Sequence, residues 1–571
     1  MNRSPFLYLL LSLFISSCNH LMADEEATAF EYREIHLPDG YTSEGKALGL
    51  NNIDQDWGLW GHHLGTVLPA SHSHSVYATQ DGRPSEEQFC FSSDKLYEYI
   101  CTYVRDNFGT KHTQRFAILP NDNSIVCQCR QCVARGCTPE DATPAVSYML
   151  ERLAARFPHH QFFTSYYLTT HSLPTRPMPA NTGVLISAIT FPLSTHTTPQ
   201  EEAFTRLLKD WAQLTPNIYI WDYINNFDDY FTPYPVLTVM QHRFRLYASA
   251  GVRGIFLNGS GTEYSTFSRI HTHLLSELMC KPDANWRTLL TQTCDKLYPV
   301  TGSTIAHFIL QQEDSLQDQP APLPLYEGME VARHNYLHET DFTTFHDQLL
   351  HLLPQTKGKE HHEISLLVRA LMLPRLELKR IHAQTADTQS MLEQLASLEK
   401  EGIHVYSETC WTIDDYVKEY DKMARHAQST NHINRLLGQT LLPLTALDEG
   451  YTDISILTDG LLGLPSNYHC GHFISSADPT LRIVLPKLPG LRRVCVGLIS
   501  NQQFHIGLPR RVTLTSGDNE IGSIVPHPTT AVAQRTTLEF EVPQQVETPL
   551  TITLYHNPEA HTMAIDEIEA Y

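Results

Sequence analysis

Positive charge is scarce in this chain. Lys and Arg total 41 against 63 Asp and Glu, a formal charge of −22 at neutral pH. Nucleic acid binding needs clustered basic side chains that displace phosphate counterions, so no nucleic acid partner is expected. Long apolar runs are also missing. Beyond the amino terminus nothing approaches the ~20 consecutive apolar residues of a membrane-spanning helix. No G-x-G-x-x-G follows an apolar strand, which removes the dinucleotide-binding fingerprint, and no H-E-x-x-H marks a catalytic zinc. No cofactor is expected.

The amino terminus reads as an address. Arg3 supplies a positive start, Pro5 to Ile15 is apolar, and Ile15-Ser16-Ser17-Cys18 has the form of a bacterial lipobox. Residues 1–18 are therefore expected to be a lipoprotein signal segment, with Cys18 lipidated and the mature chain tethered to a membrane through that lipid. Asn19 is not the aspartate that favours inner-membrane retention, so the expected location is the cell envelope, at the outer membrane. Twelve cysteines include Cys18 and leave an odd eleven. The dense group Cys127, Cys129, Cys132 and Cys137 has a C-x-C-x2-C start, which suits either a structural zinc or disulfides clamping a loop.

A chain of 571 residues exceeds what one core supports. Three patterns follow one another. From Phe116 to Met279 short apolar or aromatic strands alternate with amphipathic helices: Phe116–Leu119, Gln161–Leu168, Val184–Ile189, Ile218–Tyr223 and Arg253–Leu257 are the strands. Adding Glu31–Leu37 and Gln88–Phe91 brings the count near eight. This α/β series predicts a (β/α)8 TIM-type barrel over 28–315. Residues 316–446 carry helix-type leucine spacing and no strands, a helical region. Residues 447–571 hold short strands separated by Gly, Pro and Asp, a C-terminal β-sandwich that either binds sugar or braces the rest. In such barrels chemistry sits at the carboxyl ends of the strands. Asn121, Asp122, Tyr166, Asp222 and Asn258 occupy those ends.

Several segments match a known family: Phe30-Glu31-Tyr32-Arg33-Glu34, Gly61-His62, Gln88-Phe89-Cys90-Phe91, Asn121-Asp122 with the cysteines after it, Trp221-Asp222-Tyr223, Pro233-Tyr234-Pro235, and Gly251 to Phe256. On these residues the chain resembles the bacterial proteins of domain-of-unknown-function family 4838. They are similar to glycoside hydrolases with a β/α barrel, notably β-N-acetylhexosaminidases and α-glucuronidases. The resemblance implies a barrel and a glycan as substrate or ligand. It also shows a departure, because Leu257-Asn258 stands where the family often has an acid.

Glycoside cleavage uses a general acid and a second carboxylate, or an assisting acetamido group. Asp122 and Asp222 are the leading candidates, with Glu263 as a substitute and Glu34 as a further possibility. Arg33, His62, Asn121 and Asn258 could bond sugar hydroxyls. Trp60, Tyr166, Trp221 and Tyr223 could offer aromatic faces to sugar rings. The expected function is hydrolysis of a complex glycan; the alternative is a glycan-binding lipoprotein whose barrel no longer cleaves.

Mass spectrometry of membrane-extracted protein should show acyl mass on a peptide that begins at Cys18. An unmodified chain starting near Ala23 would overturn the lipobox reading.

Overall fold

The computed structural model describes residues 28–571 except 111, 320, 449–450, 528–530 and 547–548; Cys18 and the expected signal segment lie outside the described residues. Strands β1 (Tyr32–His36) and β2 (Trp57–Leu59) precede a hairpin of β3 (Tyr77–Gln80) and β4 (Arg83–Phe89). Then β5 (Arg115–Ala117), β6 (Gln161–Tyr166), β7 (Thr182–Ser187), β8 (Ile218–Tyr223) and β9 (Gly254–Asn258) alternate with helices. Seven of these strands form one parallel sheet in the order β1-β9-β8-β7-β6-β5-β2.

The expected closed eight-stranded barrel is therefore corrected to a curled parallel sheet of seven strands, an incompletely closed half-barrel. Among the described residues no strand ladder joins β1 to β2. The three-residue β2 pairs with β5 through a register shift, and loop residues cover the seam. Asn51 N donates to the Arg33 carbonyl (2.8 Å), and Ile53 N donates to Glu34 Oε1 (3.0 Å). Gln88–Phe91 was counted toward the barrel, but β4 pairs antiparallel with β3. The reason is the Asp81-Gly82 turn, with φ of 48° and 76°. Two left-handed residues between strands make a tight hairpin, not a crossover.

Alternate residues of each strand face opposite sides. The inward set fills the curl with rings. Tyr219 stacks on Tyr32 at 5.4 Å and lies 4.8 Å from Phe163; Trp57 meets Tyr32 edge-on at 6.1 Å. Glycine opposite makes room for them. A Cβ at Gly183 would stand 2.4 Å from the Phe163 ring, and one at Gly254 would stand 2.6 Å from Tyr219. A second inward layer stacks Trp60 on Trp221 at 5.1 Å, with Phe256 at 4.7 Å from each.

Helices run from Gly302–Ser315 to Ile413–Thr430, and two antiparallel sheets of five and four strands follow. The sandwich strands form their own sheets around their own core, while a shared aromatic core links the loop after β8, the helical region and the segment before the sandwich strands. Phe227 and Phe231 from the loop after β8 pack with Tyr406, Trp411 and Tyr416 of the helical region and with Leu461 and Leu464 before the sandwich strands. Backbone bonds stitch the same loop: Phe227 N to Leu325 O (2.7 Å), Glu408 N to Phe227 O (2.8 Å) and Tyr230 N to Tyr406 O (2.8 Å). His469 Nε2 meets Asp228 at 2.8 Å.

Outward from β8, Asp222 is fully buried. Arg243 and Tyr247 on helix Leu237–Ser249 hold it, with Tyr247 Oη donating at 2.6 Å and Tyr223 N at 2.9 Å. Removing one partner of a buried pair strands the other charge, at a cost of ~3–5 kcal/mol. Urea unfolding should show that loss for Arg243→Met. The double variant Arg243→Met with Asp222→Leu should recover much of it; an unaltered midpoint for the single variant would show that the pair carries no stability.

Candidate functional site

A cavity of about 360 Å³ opens at the carboxyl ends of the sheet strands. His62 comes from the turn after β2, Asp122 from the loop after β5, Tyr167 from the end of β6, and Ser187 from β7; Trp221 and Tyr223 come from β8 and Asn258 from β9. Tyr326 and Glu408 complete it from the helical region. The backbone bonds of the loop after β8 hold those last two over the mouth.

Strand parity decides which expected residues enter. Trp221 and Tyr223 point inward, so Asp222 between them points out to Arg243; its expected catalytic role is corrected. Tyr166 likewise turns outward, where its ring meets Trp211 at 6.3 Å, and Tyr167 takes the place expected for it. Arg33 is also outward. It donates to the Gly49 carbonyl at 2.9 Å and contacts Cys280 Sγ, which makes it a brace and not a sugar contact. Asn121 spends its side-chain amide on the Glu87 carbonyl (2.7 Å). Glu263 lines a different cleft with Asp39, Arg269 and Glu363, away from Asp122. Of the expected set, Asp122, His62, Trp221, Tyr223 and Asn258 come together. Tyr167, Ser187, Tyr326 and Glu408 were missed.

The loop that carries Asp122 is pinned by the hairpin. Gln88 Oε1 accepts from Asn121 N (2.9 Å) while its Nε2 donates to the Asn121 carbonyl (3.1 Å) and to Asn123 Oδ1 (3.0 Å). His62 Nδ1 lies 2.6 Å from the Pro120 carbonyl. That oxygen only accepts, so Nδ1 carries the hydrogen and Nε2 is the ring's remaining polar atom. Tyr223 Oη and Ser187 Oγ are 3.3 Å apart. The Trp221 Nε1 donor is buried without a partner.

Two carboxylates serve this cavity. Tyr326 Oη donates to Glu408 Oε2 at 3.1 Å. Burial raises the Glu408 carboxyl above its usual range; the Tyr326 bond opposes this, and the charges of Asp228 and Asp122 add to it. Burial first, then the Asp122 charge and hydrogen bond, pushes Tyr167 up to about 12. Asp122 thus lies within electrostatic reach of both.

The cysteine group differs from expectation in one member. The sulfurs of Cys90, Cys127, Cys129 and Cys132 lie within 4.8 Å of one another. Cys137 is not one of these four; its Sγ faces the Ala142 carbonyl at 3.9 Å and also contacts Cys132. All cysteines among the described residues are free thiols.

The model of a domain of unknown function, DUF4838, matches residues 24–310. The chain belongs to this family. No curated protein matches the sequence. Among solved structures the chain is similar to a family GH115 4-O-methyl-alpha-glucuronidase with specificity for decorated arabinogalactans, at 9% identity and a TM-score of 0.33. That match covers 84% of this chain and 66% of the enzyme, just under two thirds of its length. It is also similar to a GH138 enzyme targeting pectin rhamnogalacturonan II, at 8% identity and TM-score 0.32, over 95% of this chain and 84% of that one. A carbohydrate-binding module, CBM32-1, from a family 31 glycoside hydrolase of Clostridium perfringens matches 24% of this chain and 98% of its own, at 15% identity and TM-score 0.18. These scores are too low to define a shared fold.

Glu34 faces inward from β1 and is almost fully buried. Tyr32 donates to it, as do Tyr41 Oη (3.3 Å) and Ile53 N (3.0 Å). Burial outweighs these bonds and raises its carboxyl from 4.5 to about 7. Such an acid stabilises the fold fully below pH 4.5, where folded and unfolded chains both hold the proton, and loses that contribution as pH rises to about 7. Thermal unfolding of Glu34→Gln should therefore fall less steeply than that of the natural chain between pH 4.5 and 7. Glu419 and Asp459, also raised to about 7, leave a residual slope. An unchanged slope would mean that Glu34 ionises at its ordinary pH.

Proposed function

We propose that this is a carbohydrate-active protein of the bacterial cell envelope whose cavity hydrolyses a glycosidic bond in a complex glycan, with Glu408 as the proton donor and Asp122 as the second carboxylate. The observation that carries the reading is the meeting of these two acids on one aromatic-walled cavity. A general acid benefits from a carboxyl held above its ordinary range, and burial together with the charges of Asp228 and Asp122 moves Glu408 in that direction. The second carboxylate then stabilises positive charge developing on the sugar, activates water, or attacks. The faces of Trp221 and Tyr223 offer apolar platforms to a sugar ring. Asn258 and the Tyr223–Ser187 pair offer bonds to hydroxyls. Acylation at Cys18 would hold this cavity at the outer membrane, where polymeric glycans meet the cell.

One observation favours a second reading, glycan binding without cleavage. The ends of β8 and β9 bring no carboxylate into the cavity, since Asp222 turns outward and Asn258 is neutral. In that case Asp122 and Glu408 are ligand contacts.

The purified chain, presented with a panel of plant and host glycans, should bind one class and release a product from it. Acid–base groups contribute typically 10²–10⁴-fold. Asp122→Asn and Glu408→Gln should each lower turnover ~10²-fold or more while calorimetric binding survives. Binding without any released product would establish the second reading, and full turnover in Glu408→Gln would remove Glu408 as the acid.

A further inference from the structure

Cys90 follows β4 directly, while Cys127, Cys129 and Cys132 lie on the loop that leaves Asp122. Folding brings the four together. Cys90 Sγ is 3.7 Å from Cys129 Sγ and 3.7 Å from Cys132 Sγ, and all four sulfurs fall within 4.8 Å. Zinc holds thiolates at about 2.3 Å in a tetrahedron, which sets sulfur neighbours about 3.8 Å apart. Two disulfides would instead draw the sulfurs into pairs at about 2 Å; here Cys90 stands equally far from two partners. A polynuclear iron–sulfur cluster would need the thiolates spread around several ions, and four sulfurs this close leave no such room.

We propose that Cys90, Cys127, Cys129 and Cys132 bind one Zn²⁺ as thiolates, forming a structural site that locks the Asp122 loop to the hairpin. Binding releases the four thiol protons to solvent and changes no oxidation state. The site is closed, with three ligands buried and Cys129 half-buried, and four protein ligands leave no open position for substrate. Its surroundings suit sulfur anions. Thr79 N donates to Cys127 Sγ (3.3 Å) and Cys132 N to Cys129 Sγ (3.5 Å). Ser92 Oγ lies 3.2 Å from Cys132 Sγ, and Arg135 Nε donates to Ser92 Oγ at 3.1 Å. The guanidinium offsets part of the double negative charge that four thiolates around one zinc would carry. The loop itself holds only a five-residue helix, Arg130–Ala134, so a crosslink removes conformational freedom that this stretch cannot remove by packing alone. The fourth ligand lies far upstream of the other three in sequence, and Cys137 touches Cys132 from outside the four-sulfur group.

Elemental analysis of the full chain, purified without chelator from zinc-supplemented medium, should find one zinc per molecule. Cobalt exchanged into the natural protein should give the visible absorption of a tetrahedral four-thiolate centre. Cys90→Ser should lose at least tenfold in zinc affinity, and Cys137→Ser should keep full zinc content. Folded protein without zinc, whether its thiols count as free or as disulfides, overturns the proposal, and so does iron in place of zinc or equal metal loss in Cys137→Ser. If Cys90→Ser fails to fold, the cobalt spectrum and metal content of the natural chain and of Cys137→Ser still decide.

Discussion

Tyr219 touches Tyr32, Trp57 and Phe163 at once inside the curl of the parallel sheet, and the remainder of the molecule is arranged around that contact. A sheet closed by backbone bonds on every side sets its own radius. This one is not laddered between β1 and β2, so ring packing across the interior sets it instead. Gly183 and Gly254 let the rings approach from β7 and β9. The Trp60–Trp221 stack rests above this layer, and Trp221 forms one wall of the cavity. Packing at the base of the sheet and ligand-binding surface at its mouth are continuous.

The roof has a different origin. Tyr326 and Glu408 are held at the loop after β8 by main-chain bonds of Leu325 and Glu408 to Phe227, and their side chains bond to each other. The same loop shares buried aromatic residues with helices and with the segment before the sandwich strands. The hairpin holds Asp122 from the other side through the Gln88 amide. The two carboxylates are thus set by separate supports around one opening.

The alternation of strands and helices was legible because hydrophobic periodicity is strong over Phe116 to Met279, and Asp122 was placed at a strand end for the same reason. Parity was not legible. Both faces of a parallel sheet are covered, so its strands are apolar on both sides and hydropathy does not mark the inner face. Ile218, Ile220 and Asp222 could have faced the interior as readily as Tyr219, Trp221 and Tyr223, and the choice separates a cavity wall from a buried ion pair. Arg33 and Tyr166 were misplaced by the same ambiguity. Glu408 carried no local signal, since it sits in a loop of a helical stretch and reaches the site only through tertiary contacts. Cys90 was hidden because Gln88–Phe91 was taken for a barrel strand; once Asp81-Gly82 is recognised as a hairpin turn, its neighbourhood changes.

The stitching of Glu408 to the loop after β8, with the 461–470 segment packed against the same core, has a temporal meaning. A chain made from its amino end has every strand of the curled sheet available while its later half does not yet exist. At that stage the opening carries Asp122, Trp221 and Tyr223 but lacks its second acid. A chain that stops before residue 408 lacks both Glu408 and aromatic residues that pack on the loop after β8, so the opening and its support are lost together.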